Sequence, residues 1–166
     1  FRNQLDHEAK QKYLYVSRQS GGASANALGY AAENYVKNFL WTRLNGWDFS
    51  SSSIPGISQN LGLTDTSFDI VSKSPIGQYC AIEVSFQVTT NSTIERKSGQ
   101  AVDRRTVLNG SGHKIAYVLD GAGNFNRATA LRNIVSNSDC AVTFADHELE
   151  KLVTFIRGLG WRKLGL

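Results

Sequence analysis

The chain has 166 residues, 41% of them hydrophobic and 19% charged, with Gly 15 and Pro 2. That length suits one domain with a sizeable core, and the composition excludes disordered, collagen-like and Pro-rich classes. No apolar run approaches the roughly 18 to 20 residues of a membrane span. The polar N-terminus FRNQLDHEAKQKYLY has no signal-peptide core. Net charge is +4. Residues 1–88 hold 7 basic and 7 acidic side chains, and residues 89–166 hold 11 and 7, so the whole excess lies in the second half. A basic half suits a polyanion such as nucleic acid; a solvated surface would give the same count.

In chain order, residues 4–17 are expected to form a short helix of mixed polarity, and SRQSGGAS breaks it. A longer helix is expected from Ser24 or Asn26, with Leu28, Ala32, Tyr35, Val36, Phe39 and Leu40 at helical spacing and Gly46 as its stop. SFDIVSKS (67–74) and QYCAIEVSFQVT (78–89) read as an antiparallel hairpin turning at Pro75-Ile76-Gly77. Residues 93–109 read as a helix, HKIAYVLDG (113–121) as an apolar strand, 127–137 as a helix, DCAVTFA (139–145) as a strand and 146–159 as a helix. Strands that alternate with helices run parallel. The expectation is an α/β fold: a mixed central sheet with helices on both faces.

Two cysteines, Cys80 and Cys140, sit in apolar runs and read as small buried hydrophobes. They are too few for a disulfide framework or a four-ligand metal site, which fits a reducing cytoplasm. The chain begins at Phe1 and contains Met 0. A trimmed chain or chance accounts for that, as does a fragment of a longer protein. Residues 1–166 are taken as one domain under either reading.

The feature that asks for chemistry is acidic residues inside strands. Asp69 lies between Phe68 and Ile70, and Glu83 between Ile82 and Val84. A carboxylate in a sheet interior is costly unless it is paired or metal-bound. Adjacent hairpin strands can bring the two to one face, where hard oxygen ligands suit Mg²⁺. The bland alternative is that Asp69 caps the hairpin and Glu83 pairs with an Arg or Lys. Period-two geometry puts Ser85 and Gln87 on the face of Glu83, as a polar groove or as an ordinary solvated strand face. Glu33 reads either as an outer contact of that site or as an i,i+4 partner of Lys37.

Downstream, VTTNSTIERKSGQAVDRR (88–105) is the densest polar and basic stretch. Thr90, Asn91, Ser92 and Thr93 offer donors for phosphates or base edges. Arg96, Lys97, Arg104 and Arg105 supply charge, and Gln100 is placed to face the same cleft. Read blandly, this is a capped, solvated helix with Thr93 at the N-cap. DGAGNFNR (120–127) lacks the GxxxxGK and GxGxxG patterns, so it is read as a structural loop and no nucleotide cofactor is expected. His7, His113 and His147 show no ligand spacing.

GYAAENYVKNFL, FDIV and AIEVSF, followed by a helix and two strands, resemble the PD-(D/E)XK nuclease superfamily, and within it type II restriction endonucleases. The resemblance covers roughly residues 24 to 145. It implies a restriction-endonuclease-like fold, with Asp69 as the first acid, Glu83 as the second, and Glu33 on the N-terminal helix near them. It further implies a Mg²⁺-dependent endonuclease with one or two ions, a homodimer on double-stranded DNA, and in-line attack of a metal-held water that leaves a 5′-phosphate. Phe68 stands where the family has Pro, and Ser85 where it has the Lys that polarises the water. Ser85, Gln87 and Lys97 are the candidates for that role, with the strand residues preferred over Lys97. Three other functions are weighed: a repair or junction-resolving nuclease, a DNA-binding module without catalysis, and a small-molecule enzyme with DGAGN as an anion loop.

Overall fold

The computed structural model describes residues 25–58, 64–87 and 92–160. The expected helix over 4–17, with His7, and the candidates Thr90 and Asn91 lie outside these residues.

The first helix, α1 (Ala25–Trp41), buries Ala32, Val36, Phe39 and Leu40 at the expected spacing. It ends five residues before Gly46, and the chain turns through that glycine at a φ of 80°. Strands β1 (Ile70–Lys73) and β2 (Tyr79–Phe86) form the antiparallel hairpin, with Ile70 opposite Ile82. Helix α2 (Thr93–Gly110) then carries the chain to β3 (Lys114–Asp120), which runs parallel to β2 with Glu83 opposite Tyr117. A short turn of helix, α3 (Ala122–Phe125), and α4 (Ala128–Ser136) lead to β4 (Cys140–Val142), parallel to β3. The chain then forms α5 (Asp146–Leu159), whose Asp146 and Glu148 in the first turn and Arg157 in the last suit the helix dipole. The strand order is β1-β2-β3-β4. This is the expected mixed sheet in an α/β fold.

Because successive side chains alternate, the sheet has two faces with different coverings. Ile70, Cys80, Ile82, Val84, Ala116, Val118 and Val142 meet α1 and α5, whose Val36, Leu40, Leu149, Leu152 and Ile156 are fully buried. Val71, Ala81, Ile115, Tyr117 and Leu119 meet α2 and α4 through Ile94, Ala101, Leu108 and Ile134. A fully buried side chain of this size contributes about 1.5–3 kcal/mol, so each face is a substantial core. Both cysteines are free, and Cys80 is fully buried; burial pushes its thiol up and raises Cys140 to about 11. No helix among the described residues is long and apolar enough to cross a membrane.

The end of the sheet beyond β3 is held by a lock. Gly121 has a φ of 94°, and a Cβ built there would collide with the backbone of Gln87. Only glycine fits such an approach. Asn124, fully buried, donates to the carbonyls of Ser85 and Asp120 at 2.8 Å each. Gly123 N donates to Gln87 O, and Gly121 N to Asp120 Oδ1. The loop's backbone donors are thus used inside the fold, in line with its structural reading and against an anion cradle.

Candidate active site

Asp69 precedes β1 by one residue and Glu83 lies within β2. Extending the Ile70–Ile82 register by one step sets them opposite each other, and Tyr117 follows Glu83 across β3. One row of the sheet therefore carries Asp69, Glu83 and Tyr117, on the face that α2 covers. The inward stripe of α2 is Ile94, Lys97, Ala101, Arg104 and Leu108. That is a 3-4-3-4 spacing, so the helix buries two cations in the middle of an apolar face. They descend on the carboxylates.

Lys97 Nζ donates to Asp69 Oδ2 at 2.5 Å and to Glu83 Oε2, and Arg104 donates to Glu83 Oε1. Asp69 Oδ2 also accepts the Val84 N–H at 2.8 Å. The Arg104 guanidinium lies 5.2 Å from the centroid of Phe68, a buried ring beneath a cation. Phe68, where the resembled motif has Pro, is thereby part of the packing around the cluster. Glu83 and Lys97 are 3% and 5% exposed, whereas the Asp69 side chain keeps 24%. The opening is at Asp69: a cleft of about 520 Å³ whose lining joins residues 64–69 to Glu83 and to Arg96, Lys97 and Arg104.

Electrostatics follow from this crowding. Burial alone would lower the Lys97 ammonium, but Glu83 and Asp69 outweigh it and hold it above its ordinary value. Burial raises the Glu83 carboxyl, and Lys97 and Arg104 draw it back. We take this pair as ionised, because each Glu83 oxygen has a cationic donor against it. Glu33 of α1 is half-buried, and burial together with the Asp69 carboxylate pushes it up to about 7. No ion pair joins it to Lys37 among the described residues, so the i,i+4 reading does not describe it.

The other sequence candidates are dispersed. Ser85 is buried and its Oγ meets Asn124, so the strand face is packed at Ser85, and the cleft that Glu83 lines does not include it. Gln87 lies past the end of β2, 7% exposed, with Oε1 unpartnered among the described residues. Ser92 is the exposed N-cap residue of α2 and Thr93 its first helical residue, so the cap falls one position earlier than the expected Thr93. Arg96 is exposed at the cleft, while Gln100 does not line it. Arg104 is buried on Glu83, which corrects its reading as a surface phosphate contact. Arg105 reaches the Ser136 carbonyl and Asp139 at the α4–β4 connection, away from the cleft. Sequence reasoning allowed Glu83 an Arg or Lys partner, as Lys97 and Arg104 now are, without naming Arg104, and it missed Tyr117 and Asn124. The 3-4-3-4 stripe on α2 was the signal for Arg104.

Asp69 and Glu83 supply the hard oxygen donors that suit Mg²⁺. Among the described residues no group of three or more His, Cys, Asp or Glu is arranged to hold a metal. The donor chemistry nonetheless fits: Asp69 Oδ1 takes none of the bonds above, and Glu33 adds a carboxyl within electrostatic reach. Both Glu83 oxygens carry cations, so a metal on Glu83 competes with Lys97 and Arg104 for them.

Comparison with known proteins places these features in a family. Type II restriction enzyme BanI of Aneurinibacillus aneurinilyticus is 47% identical over 157 residues, 93% of this chain and 44% of the relative. Type II restriction enzyme HgiCI of Herpetosiphon aurantiacus is 46% identical over 150 residues, 89% of this chain and 43% of the relative. The chain thus spans less than half the length of either. No solved structure matches it significantly. The BanI C-terminal domain family matches residues 2–159, nearly the whole sequence, and the chain belongs to that family.

Proposed function

We propose that this chain is the catalytic domain of a Mg²⁺-dependent type II restriction endonuclease of the PD-(D/E)XK superfamily, cutting double-stranded DNA in the cytoplasm as a homodimer. The observation that carries the reading is Lys97 Nζ, bonded at once to Asp69 and Glu83 beside an open cleft. Both relatives bear the name type II restriction enzyme, which supports it. Asp69 and Glu83 are the residues to hold Mg²⁺, with Glu33 in an outer position. The ion, when bound, lowers the pKa of water and stabilises charge on phosphate oxygens.

Lys97 takes the role that a strand lysine has in the resembled superfamily. Its ammonium is fixed by two carboxylates and kept charged by them, so it can orient an attacking water and stabilise its developing negative charge. Ser85 is committed to Asn124 and leaves the role to Lys97, which reverses the preference for the strand side chains. Arg96 at the rim contacts a DNA phosphate, and Arg104 fixes the orientation of Glu83. In hydrolysis the water oxygen bonds to phosphorus as the P–O3′ bond breaks, leaving a 5′-phosphate and a 3′-hydroxyl.

Supercoiled plasmid and branched DNA are incubated with stoichiometric protein, with Mg²⁺ or with chelator. Mg²⁺-dependent linearisation of the plasmid at discrete sites is the expected result. Cutting of branched DNA alone points to a junction-resolving nuclease. Metal-independent binding without cutting points to a module that has lost catalysis.

A further inference from the structure

Among the described residues Tyr117 is the largest fully buried side chain, and its hydroxyl has no hydrogen-bond partner there. A buried hydroxyl without a partner destabilises, where a phenylalanine would fill the same space without that cost. Tyr117 is also the direct register partner of Glu83 on the adjacent parallel strand, and both side chains rise on the face under α2. Each Glu83 oxygen is meanwhile taken by a cation, Oε2 by Lys97 and Oε1 by Arg104. Arg104 has a second unpartnered buried group of its own, Nε.

These facts fit one arrangement. A metal arriving at Glu83 competes with the cations for its oxygens, and a carboxylate that loses a cation needs a new donor to keep its orientation. We propose that Tyr117 is that donor, a positioning residue whose hydroxyl bonds Glu83 when Lys97 or Arg104 gives way to the metal. The inference rests on the reading of Asp69 and Glu83 as metal ligands and adds to it a residue outside the superfamily pattern. The proximity of the phenol to the cluster has independent support: after burial, Glu83 is the strongest influence raising its pKa, and Arg104 opposes it.

The test is Tyr117→Phe in the full chain, with Glu83→Gln as reference. Mn²⁺ binding is measured by calorimetry without DNA, and urea midpoints are measured in chelator. The expected result is a loss of Mn²⁺ affinity of roughly 10- to 100-fold, the range for partners that orient metal ligands. The chelator midpoint should equal or exceed that of the unsubstituted protein, because an unpartnered hydroxyl has been removed. Unchanged Mn²⁺ affinity, with Glu83→Gln abolishing binding, overturns the role of Tyr117 and leaves the metal site standing. A lower midpoint in chelator overturns it too, by showing that the hydroxyl already has a structural partner without metal. Absence of Mn²⁺ binding by the unsubstituted chain overturns the metal site and the tyrosine's role together.

Discussion

The two faces of the sheet are built from the same alternation and do different work. Under α1 and α5 the packing is aliphatic and aromatic, from Val36 and Leu40 across Ile82 and Val118 to Leu152 and Ile156. Under α2 and α4 the same kind of core is interrupted by Glu83, Ser85, Lys97, Arg104 and Asn124, all buried. A buried ion pair is weak evidence for stability, since desolvation offsets most of its attraction, and apolar replacements of equal volume are often neutral or better. The first face therefore contributes stability along its whole length. The second gives some of it up to hold a charged cluster at the base of a cleft.

The sharpest way to break this contrast is Glu83→Ala. It leaves Lys97 and Arg104 buried without their carboxylate, and stranding buried charge costs about 3–5 kcal/mol. Urea unfolding should show that loss, and DNA cleavage should fall to background. Protein that folds and cuts like the original would remove Glu83 from the site. Glu83→Gln keeps the volume and should separate the two effects, retaining more stability while still losing cleavage.

Leu152→Ala probes the opposite face. It should cost about 2–5 kcal/mol through lost burial and a cavity. The cleavage rate per folded molecule should not change, because α5 touches the sheet away from the cleft. A specific rate that fell with stability would mean that the faces are coupled.

Lys97→Ala and Ser85→Ala compare two residues inside the second face. An electrostatic contribution at the attacking water is typically worth roughly 10²–10³ in rate. Lys97→Ala should show that loss in single-turnover assays, while Ser85→Ala should mainly lower stability through its contact with Asn124. The reverse order would return the role to the strand.

How much of this was legible in the sequence follows from what each signal encodes. Periodicity located every described strand and every described helix except the one-turn Ala122–Phe125, which lies in the stretch read as a loop, and it placed the last helix at 146–159 without error, because its apolar stripe and terminal charges agree. Period two also put Glu83 and Ser85 on one face. What alternation cannot reveal is what covers that face. Reading α2 as a solvated basic helix hid the pattern Ile94, Lys97, Ala101, Arg104, Leu108, in which two charges occupy core positions. Asn124 was hidden for another reason: its partners Ser85 and Asp120 meet only once β2 and β3 are paired.

Arg96→Ala tests the rim rather than the buried cluster, so its effect should be smaller and confined to DNA. One lost phosphate contact should reduce the salt dependence of binding by about one unit of slope. The rate at saturating protein should hold. An unchanged slope would move the DNA surface away from this end of α2.

The smallest effect separates α1 from the apolar face it otherwise belongs to. Glu33 is held up to about 7 by burial and by the Asp69 carboxylate, against an ordinary value of 4.5. The folded protein therefore binds this proton more tightly than the unfolded chain does. Below pH 4.5 both states are protonated and Glu33 carries no penalty. As pH rises from 4.5 toward 7 the unfolded state releases its proton first, so stability falls, and above 7 the penalty is constant. Glu33 is only partly buried, which keeps the effect small. In chelator, Glu33→Gln should match the original near pH 4.5 and exceed it above pH 7, with the gap opening between those values in urea midpoints. Groups common to both proteins cancel in that difference. Parallel profiles across the whole range would mean that Glu33 does not feel Asp69, and would leave α1 with a packing role alone.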